Sequence, residues 1–527
     1  MRSEALALHR RGRFAEAISI LDRSTMTDDA ASLLLRARLS IALSPAAAIA
    51  TLHDSRFSDY SLREQAEAAM LRGRAHAKLG EFGTAEQCFA TASSLMKEGG
   101  SVDHDLLHEL DLSVGATMIA QSRIDEADDV AKALLQREKS SPTAATLSLI
   151  AQVAWRREEL DKTAGYLLQA LVSISADVNP DVRLWAETVQ WLAHVLQFVA
   201  SPAVREAVAH HVTALPWTDD LADMHSEVYQ LLGTRASLDG AFTEALALYR
   251  RAATTPAASL IVRITAILDR ADLLRWLGES FAFEDHLLEA TALAQQVNWR
   301  NAAPPTRQPL LLLALMHARR DSALALSFAA HFEAIGGFGA YNPAAGGAAM
   351  AQRNYCLGVL CVETGEKDKG IAMLESAFNE LVRLRYDWPA AEAAIELAET
   401  TNFAAWRSRA RGLLARYPNS YQNKRLVQLD RLGGATRYVA SPALEDPKIT
   451  SLTPAQRTVY HRLLENVSVK EIAADLKRSD LTIRNHIQAI FRKFGVTSRA
   501  DLVNGKRERS IAGSAGAKWN NSSNPAL

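Results

Sequence analysis

Hydrophobic positions along this 527-residue chain recur at the spacing of amphipathic helices, with polar residues between them. The clearest stripe, Ile483, Ile487, Ile490 and Phe494, returns every three or four residues near the C-terminus. Ala, Leu, Glu and Arg are abundant and Pro is limited to 16 residues, which favours helices, and no sheet is evident. We therefore predict an all-α protein.

Small and aromatic residues repeat at fixed intervals in the long N-terminal segment. Small residues let the two helices of a hairpin cross closely, and a second glycine relaxes the turn between them. We expect the aromatic residue to fill the gap to the next hairpin. Three copies are strong and the one that starts at Gly115 is weak: Gly73, Gly80, Phe82, Ala85, Phe89, Ala92; Gly233, Gly240, Phe242, Ala245, Tyr249, Ala252; Gly358, Gly365, Lys367, Gly370, Leu374, Ala377; Gly115, Ser122, Ile124, Ala127, Ala131, Leu134.

This pattern resembles the tetratricopeptide repeat. The intervals are 42 residues from Gly73 to Gly115 and 160 from Gly73 to Gly233, so the pitch is longer than the roughly 34 residues of the standard repeat. The resemblance implies an α-solenoid of about ten hairpins over residues 1–430, in which each hairpin contacts only its nearest neighbours. Such arrays commonly bind peptides or protein segments on the concave face, although a spacer or a dimerisation arm is the alternative.

A compact helical module is predicted after this array. Thr453, Ser468 and Ser479 are N-cap residues placed before three short helical patterns. The apolar stripes of the three helices are expected to face a common core. They comprise Val459, Leu463 and Leu464; Ile472, Ala473 and Leu476; and Ile483, Ile487, Ile490 and Phe494. The opposite face of the third helix then carries Arg484, Asn485 and Gln488, with Leu481 near its start.

The module resembles the LuxR-type helix-turn-helix domain of bacterial regulators. The matching positions span about 55 residues and are Leu452, Thr453, Val459, Ser468, Lys470, Glu471, Ile472, Ala473, Leu476, Ser479, Thr482, Ile483, Arg484, His486, Ile490, Lys493, Phe494, Gly495, Val496, Ser498, Arg499, Ala500, Asp501, Leu502 and Val503. The resemblance implies a four-helix domain over residues 448–510, whose third helix enters the DNA major groove and whose fourth helix often pairs two copies. Ala455 and Gln456 depart from the usual Arg-Glu, so we expect a polar pair that braces the first helix to be lost.

Carried over by position, the resemblance assigns roles to individual residues. Arg484, Asn485 and Gln488 are expected to read base edges, since Arg suits guanine and Asn or Gln suits adenine. The residues expected near DNA phosphates are Lys470, Ser479, Thr482, His486, Arg492, Lys493 and Arg499. For Arg499, a structural role at the start of the fourth helix is the equal alternative.

Charge and composition separate the two regions. Residues 448–510 contain 13 Lys and Arg and 6 Asp and Glu, a net charge of +7, whereas residues 1–447 carry −9. The basic end suits the phosphates of double-stranded DNA. We predict a linker over 431–447 and a disordered tail over 511–527. Three scattered Cys and no long apolar run favour a cytoplasmic protein without membrane contact.

Other chemistry finds little support in the sequence. No Gly-x-x-x-x-Gly-Lys-Ser/Thr loop occurs, and the Gly336–Gly339 and Gly346–Gly347 clusters are expected to form a loop between hairpins. His104 and His108 lie four residues apart but lack a third ligand, so we expect a solvated acidic helix face. We predict no catalytic residue, no metal and no cofactor.

The leading hypothesis is a transcription regulator that binds DNA as a homodimer, in which the array senses a peptide, a protein or a small molecule. The alternative is a non-catalytic scaffold that captures a protein in the repeat groove and uses the C-terminal bundle as a docking surface. A third possibility is that the acidic array masks the basic module.

Overall fold

The computed structural model describes residues 2–23, 29–53, 59–99, 103–121, 123–138, 141–157, 159–199, 201–302, 304–338, 347–431, 452–464, 467–476, 478–499 and 501–502. Over these residues the chain forms 26 α-helices and no β-strand, which confirms the all-α class. The helices are α1 (Arg2–Arg10), α2 (Phe14–Asp22), α3 (Ala30–Leu43), α4 (Pro45–Leu52), α5 (Leu62–Lys78), α6 (Phe82–Glu98), α7 (His104–Ala120), α8 (Ile124–Glu138), α9 (Ala144–Arg156), α10 (Leu160–Ala176), α11 (Val182–Leu196), α12 (Pro202–Ala214), α13 (Ala222–Leu238), α14 (Phe242–Ala253), α15 (Leu260–Trp276), α16 (Ser280–Ala294), α17 (Gln308–His317), α18 (Ser322–Ala334), α19 (Gly347–Glu363), α20 (Lys367–Arg383), α21 (Asp387–Thr401), α22 (Ala404–Leu414), α23 (Tyr421–Arg431), α24 (Pro454–Leu464), α25 (Val469–Asp475) and α26 (Asp480–Phe494).

The internal contacts divide the chain into two compact units. The first contains the described residues up to 273 and from 286 to 431, and the second contains residues 274–285 and the described residues from 452 to 502. Apart from Arg431, the predicted linker lies outside the described residues, and so does the predicted tail. Within the described part of the chain, no helix combines the length and the apolar character needed to cross a membrane.

The first unit is built from consecutive helix pairs. Helices α1–α14 and α17–α22 form ten pairs whose members pack on each other, and most pairs also pack on the next one. This arrangement confirms the tetratricopeptide-like solenoid. Helices α5 and α6 have 17 residues each, which explains a pitch near 40 residues. Gly336 and Gly337 follow α18 with positive φ and end a helix pair, as the loop prediction required. Gly347 was predicted in the same loop, but it is the first residue of α19, so that part of the prediction is wrong; Gly339 and Gly346 lie outside the described residues.

The repeated glycines have the two roles that their spacing indicates. Gly80, Gly240 and Gly365 have φ of 79°, 81° and 96°, a backbone conformation that allows the tight turn inside a pair. Gly73 lies where the helices cross, since a Cβ there would be 2.4 Å from the Phe89 ring. Gly233 meets Tyr249 in the same way. The aromatic residue therefore packs on the glycine of its own hairpin, and Phe89 also shares a core cluster with Leu106 and Leu110 of the next hairpin, as predicted.

Contacts between distant parts of the first unit were not predicted. Thr218 Oγ1 donates to the Gly12 carbonyl at 2.7 Å, and the Tyr417 hydroxyl donates to the Gln197 carbonyl at 3.2 Å, across 206 and 220 residues respectively. Phe198 and Tyr386 stack with ring centroids 4.8 Å apart. Each contact joins elements about five helix pairs apart, so the array winds back onto itself. The expectation that hairpins contact only their nearest neighbours is therefore wrong.

Candidate nucleic-acid interface

Side-chain caps fix where the helices of the C-terminal module begin. Ser468 Oγ accepts from the Glu471 amide while Glu471 Oε2 accepts from the Ser468 amide at 2.9 Å, which forms a complete capping box at α25. Ser479 Oγ accepts from the Thr482 amide at 3.2 Å at α26. At the other end of α26, Gly495 has φ of 70°, the left-handed conformation that terminates a helix.

The first helix keeps a polar brace despite its departure from the family pattern. Thr453 Oγ1 accepts from the Gln456 amide at 3.3 Å, and Gln456 Oε1 accepts from the Thr453 amide at 3.2 Å. This is a capping box in which Gln replaces Glu. Ala455 offers no polar side chain, so the Arg-Glu pair of the family is absent, but the Gln456 amide group still supplies an acceptor that caps the helix.

One hydrophobic core holds the three helices together. Both α24 and α25 pack on α26. Ile483 and Ile490 are completely buried, and Phe494 stacks on Tyr460 with ring centroids 4.9 Å apart. The predicted stripe is confirmed, with Ile487 partly buried at its edge. Since this face of α26 fills the core, the residues on its other side must point to solvent.

The three residues expected to read bases share that outer face. Arg484, Asn485 and Gln488 are all exposed. Within the part of the chain that the structure describes, their side chains make no hydrogen bond or ion pair with the protein. Leu481, at the start of the same helix, is 68% exposed. The structure therefore brings these three side chains together. They form a polar surface about one helical turn long on α26.

The residues expected near phosphates differ in how far their side chains are exposed to solvent. Lys470 on α25 and Arg492 on α26 are exposed, whereas Thr482 and His486 are half-buried. The hydroxyls of Ser479 and Thr482 lie 2.9 Å apart and take part in the helix cap. The exposed Lys493 donates from Nζ to Gln456 Oε1 at 3.3 Å. Contact of these residues with DNA stays a prediction.

Arg499 differs from the others because it is bound within the module. Its Nε and Nη2 donate to the Leu463 carbonyl at 2.8 and 2.6 Å, and burial lowers the pKa of its guanidinium. The Leu463 carbonyl lies in the last turn of α24 and has no partner within that helix, so these bonds satisfy it. Of the two roles that the sequence leaves open for Arg499, this geometry favours the structural one.

Sequence reasoning missed a further cap at the start of the fourth helix. Ser498 Oγ accepts from the Asp501 amide at 3.1 Å, and Asp501 Oδ2 accepts from the Ser498 amide at the same distance. The signal was present, since Ser and Asp three residues apart form a capping motif. Leu502, just beyond, is buried in the core of the module.

Comparison with known proteins places this module in a family. The model of the bacterial regulatory proteins of the luxR family matches residues 450–504. The spore germination protein GerE of Bacillus subtilis (strain 168) is 40% identical over 52 residues, which cover 10% of this chain and 70% of GerE.

Two further matches are more limited. "Probable HTH-type transcriptional regulator GfsR" of Streptomyces halstedii is 33% identical over 84 residues, 16% of this chain, and the match spans about a third (32%) of GfsR. A chain of the APC/C hetero-tetramer Cut9-Hcn1 aligns with 95% of this chain and 88% of its own length at 15% identity. Its TM-score of 0.34 is too low to show a shared fold. On the match to GerE, the chain belongs to the luxR family of bacterial regulatory proteins.

Proposed function

We propose that this protein is a DNA-binding transcription regulator, whose repeat array senses a signal and controls binding of the C-terminal module to a promoter. The observation that carries the proposal is the exposed, unpaired group of Arg484, Asn485 and Gln488 on a helix whose other face is fully committed to a core. The names of the relatives GfsR and GerE, a regulator and a spore germination protein, agree with a regulatory role for this module.

The chemistry of the exposed face suits the DNA major groove. The guanidinium fork of Arg484 matches the two acceptors of guanine, and the amides of Asn485 and Gln488 match the donor and acceptor of adenine. Because the caps and the core fix the axis of α26, these side chains reach the bases from a rigid support. Lys470, Arg492 and Lys493 provide positive charge beside them, which suits phosphate contacts that position the module.

We further propose that two copies bind together. A module of this size contacts only a few base pairs, and a two-fold dimer doubles the recognised site. The fourth helix, which begins with the Ser498–Asp501 cap, is the element that we assign to this pairing. The array would shift the equilibrium of the module by binding a peptide, a protein or a small molecule.

Retention of DNA by the full chain tests the proposal. The duplex is the region upstream of the protein's own gene, compared with a scrambled duplex of equal length. We expect retention that favours the upstream region and that weakens steeply from about 50 to 200 mM salt, as phosphate contacts release counterions. Absent or salt-insensitive retention of both duplexes would contradict the proposal. A chain that lacks residues 449–527 is the matched control and should bind neither.

A further inference from the structure

One large hydrophobic side chain of the C-terminal module lies at its surface. Leu481, the second residue of α26, is 68% exposed. Among the described residues of the module, no other large hydrophobic side chain is exposed, and Ile483, Ile490 and Phe494 on the same helix are buried. Leu481 takes no part in the core of the module, so packing does not account for a leucine at this position.

Leu481 shares one stripe of α26 with the three residues proposed to read bases. An α-helix turns by about 100° per residue, so Leu481, Arg484, Asn485 and Gln488 fall within an arc of roughly 100°. All four side chains are exposed. The buried side chains of α26 lie on the opposite side of the helix. The outer face of α26 therefore consists of three polar side chains and one apolar side chain among them.

Hydrogen bonds in the first turn of α26 fix the position of Leu481 on this stripe. Ser479 Oγ accepts from the Thr482 amide at 3.2 Å, and the Ser479 carbonyl accepts from the Ile483 amide at 3.1 Å. Leu481 lies between these bonded residues. In helix-turn-helix complexes, the residues at the start of the second helix of the motif contact base edges in the major groove. Leu481 therefore stands where a side chain would meet a base.

The chemistry of a leucine side chain favours one of the four bases. Leucine neither donates nor accepts a hydrogen bond, so against guanine, adenine or cytosine it would displace water from a polar base edge without replacing the lost hydrogen bonds. Thymine is the base whose major-groove edge carries a methyl group. Contact with that methyl group removes apolar surface of both partners from water, which is favourable.

We infer that Leu481 is a specificity-determining residue that contacts the C5-methyl group of a thymine in the DNA major groove. The inference rests on the proposed function, since it requires that α26 reads DNA. Leu481 and Asn485 are about 6 Å apart along the helix axis, and base pairs are stacked about 3.4 Å apart. The thymine should therefore lie within about two base pairs of the base that Asn485 contacts.

Removal of the thymine methyl groups from the DNA tests this contact. The full chain is titrated with the duplex upstream of its own gene, and with the same duplex in which deoxyuridine replaces every thymidine, so that base pairing is kept. Fluorescence anisotropy measures both affinities. We expect the native protein to bind the deoxyuridine duplex about fourfold more weakly or worse, the factor that follows from the burial of one methyl group.

Variants connect the preference for thymine to Leu481. Leu481→Ala should lose most of the preference, whereas Leu481→Met keeps an apolar side chain of similar volume and should retain it. The matched control is Leu326→Ala, which truncates a 48% exposed leucine on α18 and should distinguish the two duplexes as the native protein does. Because Leu481 lies outside the core, its variants should unfold at the native Tm, which shows that they fold.

The salt dependence separates a methyl contact from phosphate contacts. Both affinities should fall from about 50 to 200 mM salt, but their ratio should stay constant, because contact with a methyl group releases no counterions.

Equal binding of the two duplexes by the native protein would overturn the inference. A preference that stays unchanged in Leu481→Ala would do the same, whether or not the overall affinity falls, since the leucine would then serve another contact. Both results leave the preference for the upstream region, and hence the regulator proposal, intact. Absent binding of both duplexes would contradict the proposed function itself, and the inference with it.

Discussion

The C-terminal module and the repeat array place their polar residues in opposite ways. In the module, apolar side chains fill one core and the polar residues Arg484, Asn485 and Gln488 lie outside. In the array, carboxylates, glutamines and arginines also occupy the interior, as in the buried group of Arg425 with Glu396 and Glu399. The module exposes a polar face on one helix, whereas the array buries part of its charged side chains between neighbouring helices.

The two regions are stabilised by different interactions. The module depends on caps and on one apolar core, so each polar contribution is local and modest. The array also depends on buried polar contacts between elements far apart in sequence, which stabilise only while every partner is present. Single substitutions should therefore cost much more inside the array than at the caps of the module.

Arg425→Ala is expected to have the largest effect. Arg425 Nη2 lies 2.9 Å from Glu396 Oε1, and its Nε donates to Glu399 Oε1 at 2.6 Å, with all three side chains almost completely buried. Removing the arginine leaves two buried carboxylates without it, which should lower the free energy of unfolding by about 3–5 kcal/mol. Urea denaturation measures this change. Arg411→Ala breaks an exposed pair with Asp430 and should cost about 1 kcal/mol or less, so equal costs would refute the contrast.

Asp269→Asn should change how the stability of the array depends on pH. Burial, and then the neighbouring Asp272 and Glu392, raise the pKa of Asp269 to about 7. Between pH of about 4 and 7 the folded chain keeps a proton that the unfolded chain has lost, so stability falls as pH rises through this window.

The asparagine variant removes that contribution. It should be more stable than the native protein by about 1–3 kcal/mol at pH 8, and the difference should disappear near pH 4. Chemical denaturation across this pH range measures it. Asp125→Asn, at a 96% exposed side chain, is the control and should show no such trend. A pH-independent difference for Asp269→Asn would show that its carboxyl ionises normally.

Gly73→Ala tests the close crossing within a hairpin. Its new Cβ would lie 2.4 Å from the Phe89 ring, so the variant should lose about 1–3 kcal/mol through overpacking. Gly165→Ala in α10 meets no atom within 4 Å and should gain about 0.5–1 kcal/mol from its higher helix propensity. Thermal unfolding of both variants measures the two effects. A stabilised Gly73→Ala variant would show that the helices cross less closely than described.

Ser468→Ala is expected to have the smallest effect, on the module alone. It removes one acceptor of the capping box at α25 and should cost about 1 kcal/mol. Ser468→Asn keeps an N-cap acceptor and should retain most of the native stability. Hydrogen exchange of the α25 amides reports the loss locally. Native exchange rates in Ser468→Ala would indicate that the cap contributes nothing.

Local features of both regions could be predicted from the sequence. The caps at Ser468 and Ser479, the Ile483–Ile490 stripe and the Gly80 turn all follow from residues less than one helix apart. Gln456 shows the limit of a family pattern, since its departure suggested a lost brace although the chemistry of the cap was kept. The contact of Phe89 with Gly73 of its own hairpin was not predicted, because it depends on where the helices cross rather than on spacing alone.

The winding of the array could not be predicted. The bond from Tyr417 to Gln197 joins residues 220 positions apart, and neither residue carries a local signal for the other. Arg499 was ambiguous for a related reason, since its bond to the Leu463 carbonyl depends on how α24 meets the fourth helix.

The most direct test of the central claim is the DNA affinity of the full chain with Arg484→Ala, measured by fluorescence anisotropy on the upstream duplex. If Arg484 contacts base edges, the alanine variant should lose about 1–3 kcal/mol of binding free energy on that duplex and much less on the scrambled one. Arg484→Lys keeps the charge but not the planar fork, so it should retain non-specific binding and lose most of the preference. An alanine variant with native affinity and native preference would contradict the claim that this face of α26 reads DNA.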